Sequence, residues 1–117
     1  YFIIWQKSNA IDFSFAMCEY DWTNCKVPAK IYTKLHVQTK EQRQHPTQKP
    51  VALYKWLLDK YAKQGDKILD THLGSCSIAI ACHDYGFDLT ACELDKEYYD
   101  KAMERINNHT AQMKLFA

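Results

Sequence analysis

The second half of the chain shows a regular succession of apolar patterns separated by short polar breaks. After Pro50, apolar residues recur at three- and four-residue spacing, which is typical of one face of a helix. The apolar runs that follow are of two kinds. Short continuous runs predict strands, and longer runs with helical spacing predict helices. In chain order they predict a helix over 50–62, a strand over 67–70, a helix ending at Gly86, a strand over 87–93 and a helix capped by Asp95. This alternation predicts a parallel sheet covered by helices.

The first 44 residues are less regular. Residues 1–6 form an apolar, β-prone run and predict a short buried strand, so we expect a chain that opens in this way to have lost a segment ahead of it. Residues 13–23 are compatible with a helical turn or with a strand. Residues 29–37 alternate with a period of two, which favours a half-exposed strand. Residues 38–46 are polar and unpatterned, and they are the best candidate for a linker.

Composition narrows the class of protein. With 117 residues, of which 47% are hydrophobic and 14% aromatic, the chain can bury one modest core. Its five cysteines show no CxxC pair and no His/Cys cluster of metal-ligand spacing, so we expect reduced thiols and no bound metal. There is no charged-then-apolar leader and no apolar run of membrane-spanning length, so we expect no membrane association and a cytoplasmic location.

Charge is informative only locally, because the formal net charge is +1. Basic residues are concentrated between Lys26 and Lys49, where Glu41 alone opposes them. Such a stretch could face the phosphates of a nucleic acid. An ordinary solvated loop is the alternative.

Candidate chemistry begins where the first strand of the second half ends. Residues 70–77, Asp-Thr-His-Leu-Gly-Ser-Cys-Ser, connect that strand to a helix, and backbone N–H groups at such a position can hold an anionic or polar ligand group. Glu93 lies at the end of the next strand, 19 positions after Gly74. Ligands of open α/β sheets bind at this edge, where an acidic side chain can accept the hydrogens of both ribose hydroxyls. A plain connection and a solvated carboxylate are the alternatives.

A third polar element, His45-Pro46-Thr47-Gln48-Lys49-Pro50, precedes the first helix of this half. Its two prolines stiffen the backbone around a hydroxyl, an amide and an ammonium group. The alternative is a proline-containing helix start.

These three elements, in this order, resemble the amino-group DNA methyltransferases of the permuted beta subgroup, which modify N6 of adenine or N4 of cytosine. His-Pro-Thr-Gln-Lys-Pro, Ile-Leu-Asp-x-x-x-Gly-Ser-x-Ser and a strand ending in Glu carry the resemblance over residues 45–106. Residues 1–37 look more loosely like the late strands of the same domain. The resemblance implies a three-layer, Rossmann-like α/β fold with a mainly parallel and incomplete sheet, in which 1–44 supplies late strands and a loop and 45–117 the cofactor-binding portion.

The resemblance also implies S-adenosylmethionine as cofactor and DNA as partner, with in-line transfer of a methyl group to an exocyclic amine. It assigns residues to each part of the cofactor. Thr47 and Lys49 would lie near the methionine carboxylate, with His45, Gln48 and Pro50 shaping that wall; Asp70, Gly74, Ser75 and Ser77 would surround the methionine and sulfonium end; Glu93 would hold the ribose, and Leu94 would line the adenine slot.

The chain departs from the family pattern at three points. His72 stands where the family usually has Phe, and Cys76 where it has a second Gly, so the side chain at 76 would crowd the cofactor or would need a positive φ. The Asp/Asn/Ser-Pro-Pro-aromatic tetrapeptide that binds the flipped base occurs nowhere in the sequence. We therefore expect no catalytic residue in this chain. Catalysis would need a missing N-terminal segment or a second copy of the chain.

Two other classes remain open on the sequence. One is a non-catalytic cofactor- or DNA-binding module that acts with a partner chain. The other, a nicotinamide-binding protein, is disfavoured because Gly74 is not part of a three-glycine fingerprint.

Overall fold

The computed structural model describes residues 2–6, 18–33 and 48–112. The chain divides into two compact units, residues 1–41 and 42–117. The boundary predicted from the sequence lay between residues 44 and 45.

The first unit contains a three-stranded sheet of order β2-β1-β3. Its strands are β1 (Phe2–Gln6), β2 (Cys18–Trp22) and β3 (Lys30–Thr33). β1 pairs antiparallel with β2 and parallel with β3. The strand predicted over 1–6 is therefore confirmed, and the stretch 13–23, which was compatible with two structures, contains a strand.

The strand predicted over 29–37 is observed over β3. Ala29 precedes β3 and is not part of it, and residues 34–37 lie outside the described residues, as does the predicted linker over 38–46. The sheet buries one face, because Ile3 and Trp5 on β1 are almost inaccessible. Phe2 and its cross-strand neighbour Trp22 point to the other face and are exposed.

The second unit alternates helices and strands as the sequence predicted. Its elements are α1 (Val51–Tyr61), β4 (Lys67–Asp70), α2 (Ser77–Tyr85), β5 (Asp88–Ala91) and α3 (Lys96–Ala111). β4 and β5 pair in parallel, and the chain crosses from one to the other through α2. This order of helices and strands is typical of a Rossmann-like α/β fold, here with an incomplete sheet, so the predicted fold class is confirmed.

A small core joins α1, α2 and one face of this parallel pair. Leu58 of α1 packs against Ala81 and Cys82 of α2, and Ile68 and Leu89 of the strands complete the contact. On the opposite face of the pair, Leu69 is 67% exposed within the described residues.

The helix ends follow local rules that the sequence had indicated. The Asp95 carboxylate caps α3 by accepting the Tyr98 N–H at 3.0 Å. Gly86 follows α2 with φ of 76°, a left-handed conformation that suits glycine, and it ends the helix as predicted. No helix within the described residues has both the length and the apolar character needed to cross a membrane.

Asp84 on α2 connects the three helices. Its carboxylate lies 2.7 Å from the Lys55 ammonium of α1 and 2.6 Å from the His109 imidazole of α3. Burial disfavours the charged form, but hydrogen bonds from Lys55 and His109 outweigh burial and hold the pKa of Asp84 below its ordinary value. The cluster is therefore a polar tie between helices.

Candidate functional site

A cavity of about 700 Å³ opens in the second unit beyond the carboxyl ends of β4 and β5. Its volume lies in the range typical of small-molecule sites. The connection between β4 and α2 forms one wall, and the residues after β5 form the adjacent wall. The position is the one where open α/β sheets bind ligands.

Backbone hydrogen bonds close the connection between β4 and α2 against the end of β5. The Cys92 N–H donates to the Asp70 carbonyl at 2.9 Å, and the Leu73 N–H donates to the Cys92 carbonyl at 2.9 Å. The Cys76 N–H then donates to the Leu73 carbonyl at 3.0 Å. The connection is consequently tied down along its length.

Glu93 joins the two walls. Its Oε1 accepts the Gly74 N–H at 2.8 Å and its Oε2 accepts the Asp95 N–H at 2.9 Å. The strand predicted over 87–93 is observed over Asp88–Ala91. The Cys92 N–H still donates to Asp70, the last residue of β4, but the Cys92 carbonyl accepts from Leu73 of the β4–α2 connection. Glu93 thus lies just beyond the strand, with its carboxylate held by an amide from each wall.

Cys76, the residue before α2, has φ of 63° and ψ of 25°. This left-handed conformation costs a residue with a Cβ on the order of 1–2 kcal/mol. Of the two effects expected from the sequence, the positive φ is the one observed. The thiol is fully buried and donates to the Ala102 carbonyl of α3 at 3.2 Å, and Cys76 is not among the residues that line the cavity. Crowding by its side chain is therefore not observed.

Arg105 of α3 reaches the same connection from behind. Its Nη1 donates to the Ser75 carbonyl at 2.8 Å and to the Ser77 hydroxyl at 3.0 Å. Both serines are buried, with 8% and 2% of their surface exposed. Burial raises the pKa of the Cys76 thiol, and the nearby charge of Arg105 opposes that shift.

The cavity brings together most of the residues that the sequence assigned to a cofactor. Those that line it are Gln48, Lys49, Gly74, Ser75, Ser77, Glu93 and Leu94. Two assigned residues do not line it: Asp70, whose Oδ1 accepts the His72 N–H at 2.9 Å, and the buried Pro50, whose carbonyl accepts the Leu53 N–H. His45 and Thr47 lie outside the described residues. The binding role of the whole set stays a prediction.

Several residues at or behind the cavity were not assigned from the sequence. Tyr54, His72, Leu73, Asp95 and Tyr98 line it, and Arg105 supports it. One signal was available for Arg105, which lies seven positions after Tyr98 and three after the buried Ala102 and so shares their helical face. A cation on a face that packs inward calls for a buried acceptor.

The chain matches known proteins over most of its length. A family model described as DNA methylase matches residues 4–104. The chain is 31% identical over 77 residues to the type II methyltransferase M.HpaI of Haemophilus parainfluenzae, a match that covers 66% of this chain and 24% of that protein. The chain therefore spans about a quarter of the length of this curated relative.

Solved structures give the same fold. The crystal structure of an M1.HpyAVI-SAM complex matches with a TM-score of 0.68 and 26% identity over 89% of this chain and 60% of that one. A crystal structure of M1.HpyAVI matches with a TM-score of 0.63 and 21% identity over 91% of this chain and 58% of that one.

Proposed function

The chain belongs to the DNA methylase family, whose model matches residues 4–104, and from that premise we propose that its second unit binds S-adenosylmethionine in the cavity beyond β4 and β5. The observation that carries the proposal is Glu93, a carboxylate fixed between the β4–α2 connection and the start of α3. The M1.HpyAVI-SAM complex, which shares the fold, supports the choice of cofactor.

The ribose end of the cofactor fits Glu93. A carboxylate can accept about four hydrogen bonds, so the two amide contacts are compatible with acceptance from ribose hydroxyls. Both amides come from cavity walls, which fixes the carboxylate in one orientation.

The methionine end fits the wall on which Lys49 and Gln48 lie close to the β4–α2 connection. The ammonium of Lys49 suits the methionine carboxylate, and the hydroxyls of Ser75 and Ser77, which also line the cavity, lie 3.4 Å apart. His45 and Thr47 complete this part of the proposal from the sequence pattern alone.

The adenine end fits the rim of the cavity. Leu94 is 102% exposed there, so its side chain is available to cover an aromatic ring. Tyr98 lines the cavity from the first turn of α3. An apolar side chain and an aromatic ring are the groups that typically flank a purine in such a slot.

We further propose that the protein to which this chain contributes methylates an exocyclic amine of DNA, at N6 of adenine or N4 of cytosine. The bound cofactor supplies an electrophilic methyl group. The residues described above would bind and orient the cofactor toward the amine. The nitrogen would take the methyl group and lose a proton, and S-adenosylhomocysteine would be released. DNA is the corresponding macromolecular partner.

Titration calorimetry tests the cofactor proposal directly. We expect the 117-residue chain to bind S-adenosylmethionine and S-adenosylhomocysteine, and to bind NAD⁺ at least about tenfold more weakly, because the single glycine turn offers no three-glycine cradle for a pyrophosphate. Equal or tighter binding of NAD⁺ would contradict the proposal.

A further inference from the structure

The peptide group between Ser75 and Cys76 is held at both ends. Its carbonyl accepts from Nη1 of Arg105 at 2.8 Å, and its N–H donates to the Leu73 carbonyl at 3.0 Å. The first contact comes from α3, 30 positions further along the chain, and the second from within the connection. Together they fix which way this peptide faces.

The backbone of Cys76 is strained when the peptide has that orientation. Rotation of a peptide group changes ψ of the residue before it and φ of the residue after it. Rotating the Ser75–Cys76 peptide by half a turn would take φ of Cys76 from 63° into the negative region that residues with a Cβ prefer. It would also break both hydrogen bonds of the peptide and turn the Ser75 carbonyl away from α3.

Arg105 is the strongest contact that resists this rotation. Its Nη1 carries two hydrogens, and it donates one to the Ser75 carbonyl and the other to the Ser77 hydroxyl. Both acceptors are buried, so bulk water would not readily replace the charged donor if Arg105 were removed. The thiol contact of Cys76 with Ala102 is weaker, since sulfur is a poor donor.

Ser75 also lines the cavity, whereas Arg105 does not. A rotated peptide would therefore change the wall that we assign to the methionine end of the cofactor, although Arg105 is not itself among the residues that line the cavity. We propose that Arg105 is a positioning residue for the cofactor, which holds the Ser75–Cys76 peptide in its strained orientation and so keeps the Gly74–Ser75 wall in its binding shape. This proposal rests on the proposed function.

A double-mutant cycle with Cys76→Gly separates the positioning role of Arg105 from a general contribution of Arg105 to the stability of the fold. Arg105→Met should raise the dissociation constant for S-adenosylmethionine by about tenfold. In a chain that carries Cys76→Gly, Arg105→Met should raise the dissociation constant less than about threefold. Glycine adopts a positive φ without strain, so the peptide keeps its orientation without the hydrogen bond from Arg105. Equal factors in the two backgrounds would overturn the proposal.

Two further variants control for charge and for helix α3. Arg105→Lys keeps a cation that can donate to the Ser75 carbonyl, so it should fold if Arg105→Met does not, and its effect on binding should be smaller but should again shrink with Cys76→Gly. Lys101→Met removes an exposed cation of the same helix, one that pairs with Glu97, and should leave cofactor binding unchanged. A loss of binding in Lys101→Met equal to that in Arg105→Met would overturn the proposal.

Hydrogen exchange of the Cys76 amide gives a readout that needs no cofactor. Arg105→Met should speed this exchange by about tenfold, because a rotated peptide no longer donates to the Leu73 carbonyl, and Lys101→Met should not. If the chain binds S-adenosylmethionine and Arg105→Met changes neither exchange nor affinity, the positioning role alone is wrong. If exchange responds as expected but the unaltered chain binds no S-adenosylmethionine, the proposed function is wrong and the positioning proposal is overturned with it.

Discussion

The cofactor proposal depends most on the side chain of Glu93. We expect Glu93→Ala to raise the dissociation constant for S-adenosylmethionine by about ten- to a hundredfold, the loss typical of charge-assisted hydrogen bonds. Part of this loss would come from the Gly74 and Asp95 amides, which would lose the acceptor that now orients both walls. Calorimetry on the 117-residue chain is the measurement.

Glu97→Ala is the matched control for this change. Glu97 lies on the exposed first turn of α3 and pairs with Lys101, away from the cavity. It should leave the affinity unaltered. An affinity that falls equally in both variants, or in neither, would remove Glu93 from the ribose site.

The cysteines should differ in reactivity. Burial raises the pKa of Cys76 and Cys82, so little thiolate forms near neutral pH, and neither side chain is accessible. Cys25 and Cys92 are exposed. We expect iodoacetamide at neutral pH to alkylate Cys25 and Cys92 well before the other two, as read by peptide mass spectrometry; early labelling of Cys76 would contradict its burial under α3.

At this scale the sequence predicted which side chains line the cavity better than it predicted their conformations and hydrogen-bond partners. Cys76 stood out because it replaces a glycine, but the choice between crowding and a positive φ required the backbone. Arg105 was missed. Its place on the buried face of α3 indicated a buried acceptor, but that pattern does not identify the acceptors, a backbone carbonyl and a hydroxyl about 30 positions away.

Among the elements, the helices of the second unit are tied together by Asp84. Its pKa is lowered in the folded state, so its contribution to stability is present above the ordinary value of 3.8 and is lost as the pH falls through that value toward the lower native one. We expect Asp84→Asn to lower the free energy of unfolding at neutral pH by about 1–2 kcal/mol. Urea unfolding from pH 7 down to pH 3 should therefore show a smaller acid-induced loss of stability in this variant than in the unaltered chain.

Asp100→Asn is the control, because Asp100 pairs with Lys96 on the exposed surface of a single helix. Such a pair contributes little to stability. If Asp100→Asn flattened the pH profile as much as Asp84→Asn, the tie between helices would not be the source of the acid sensitivity.

Where the sequence predicted a helix end, the observed end lies within about a residue of it, since apolar spacing and end signals such as Asp95 and Gly86 are local. No end was predicted for α3, which continues to Ala111. The strand β5 was predicted too long. Residues 92 and 93 follow β5 without a break in the sequence, but the Cys92 carbonyl and one Glu93 carboxylate oxygen accept from Leu73 and Gly74 of the connection after β4, a preference that no local pattern shows. Residues 13–23 stayed ambiguous for the same reason, because Cys18–Trp22 form a strand by pairing with β1, which is distant in sequence.

For the molecule as a whole, cofactor binding and methyl transfer should be separable. The glycine turn, Lys49 and Glu93 lie together in the second unit, whereas the Pro-Pro tetrapeptide that would hold the base is absent from the 117 residues. We expect this chain alone to bind S-adenosylmethionine but to incorporate no labelled methyl group into unmethylated DNA of mixed sequence.

The comparison for this assay is a longer protein that contains both the chain and such a tetrapeptide. Incorporation by the 117-residue chain above the level of its Glu93→Ala variant would place the catalytic groups within residues 1–117. Failure of the longer protein as well would favour the alternative, a non-catalytic module that acts with a partner chain.

The two amide contacts of Glu93 also bear on the entropy of binding. A free glutamate must give up rotamer freedom when a ligand fixes it, at a cost of about 0.5–1.5 kcal/mol. Here the carboxylate is already fixed by Gly74 and Asp95, so that loss of freedom belongs to folding and not to binding. A ribose that reaches this site meets an acceptor that is preorganised, and its affinity is diminished little by ordering of the protein.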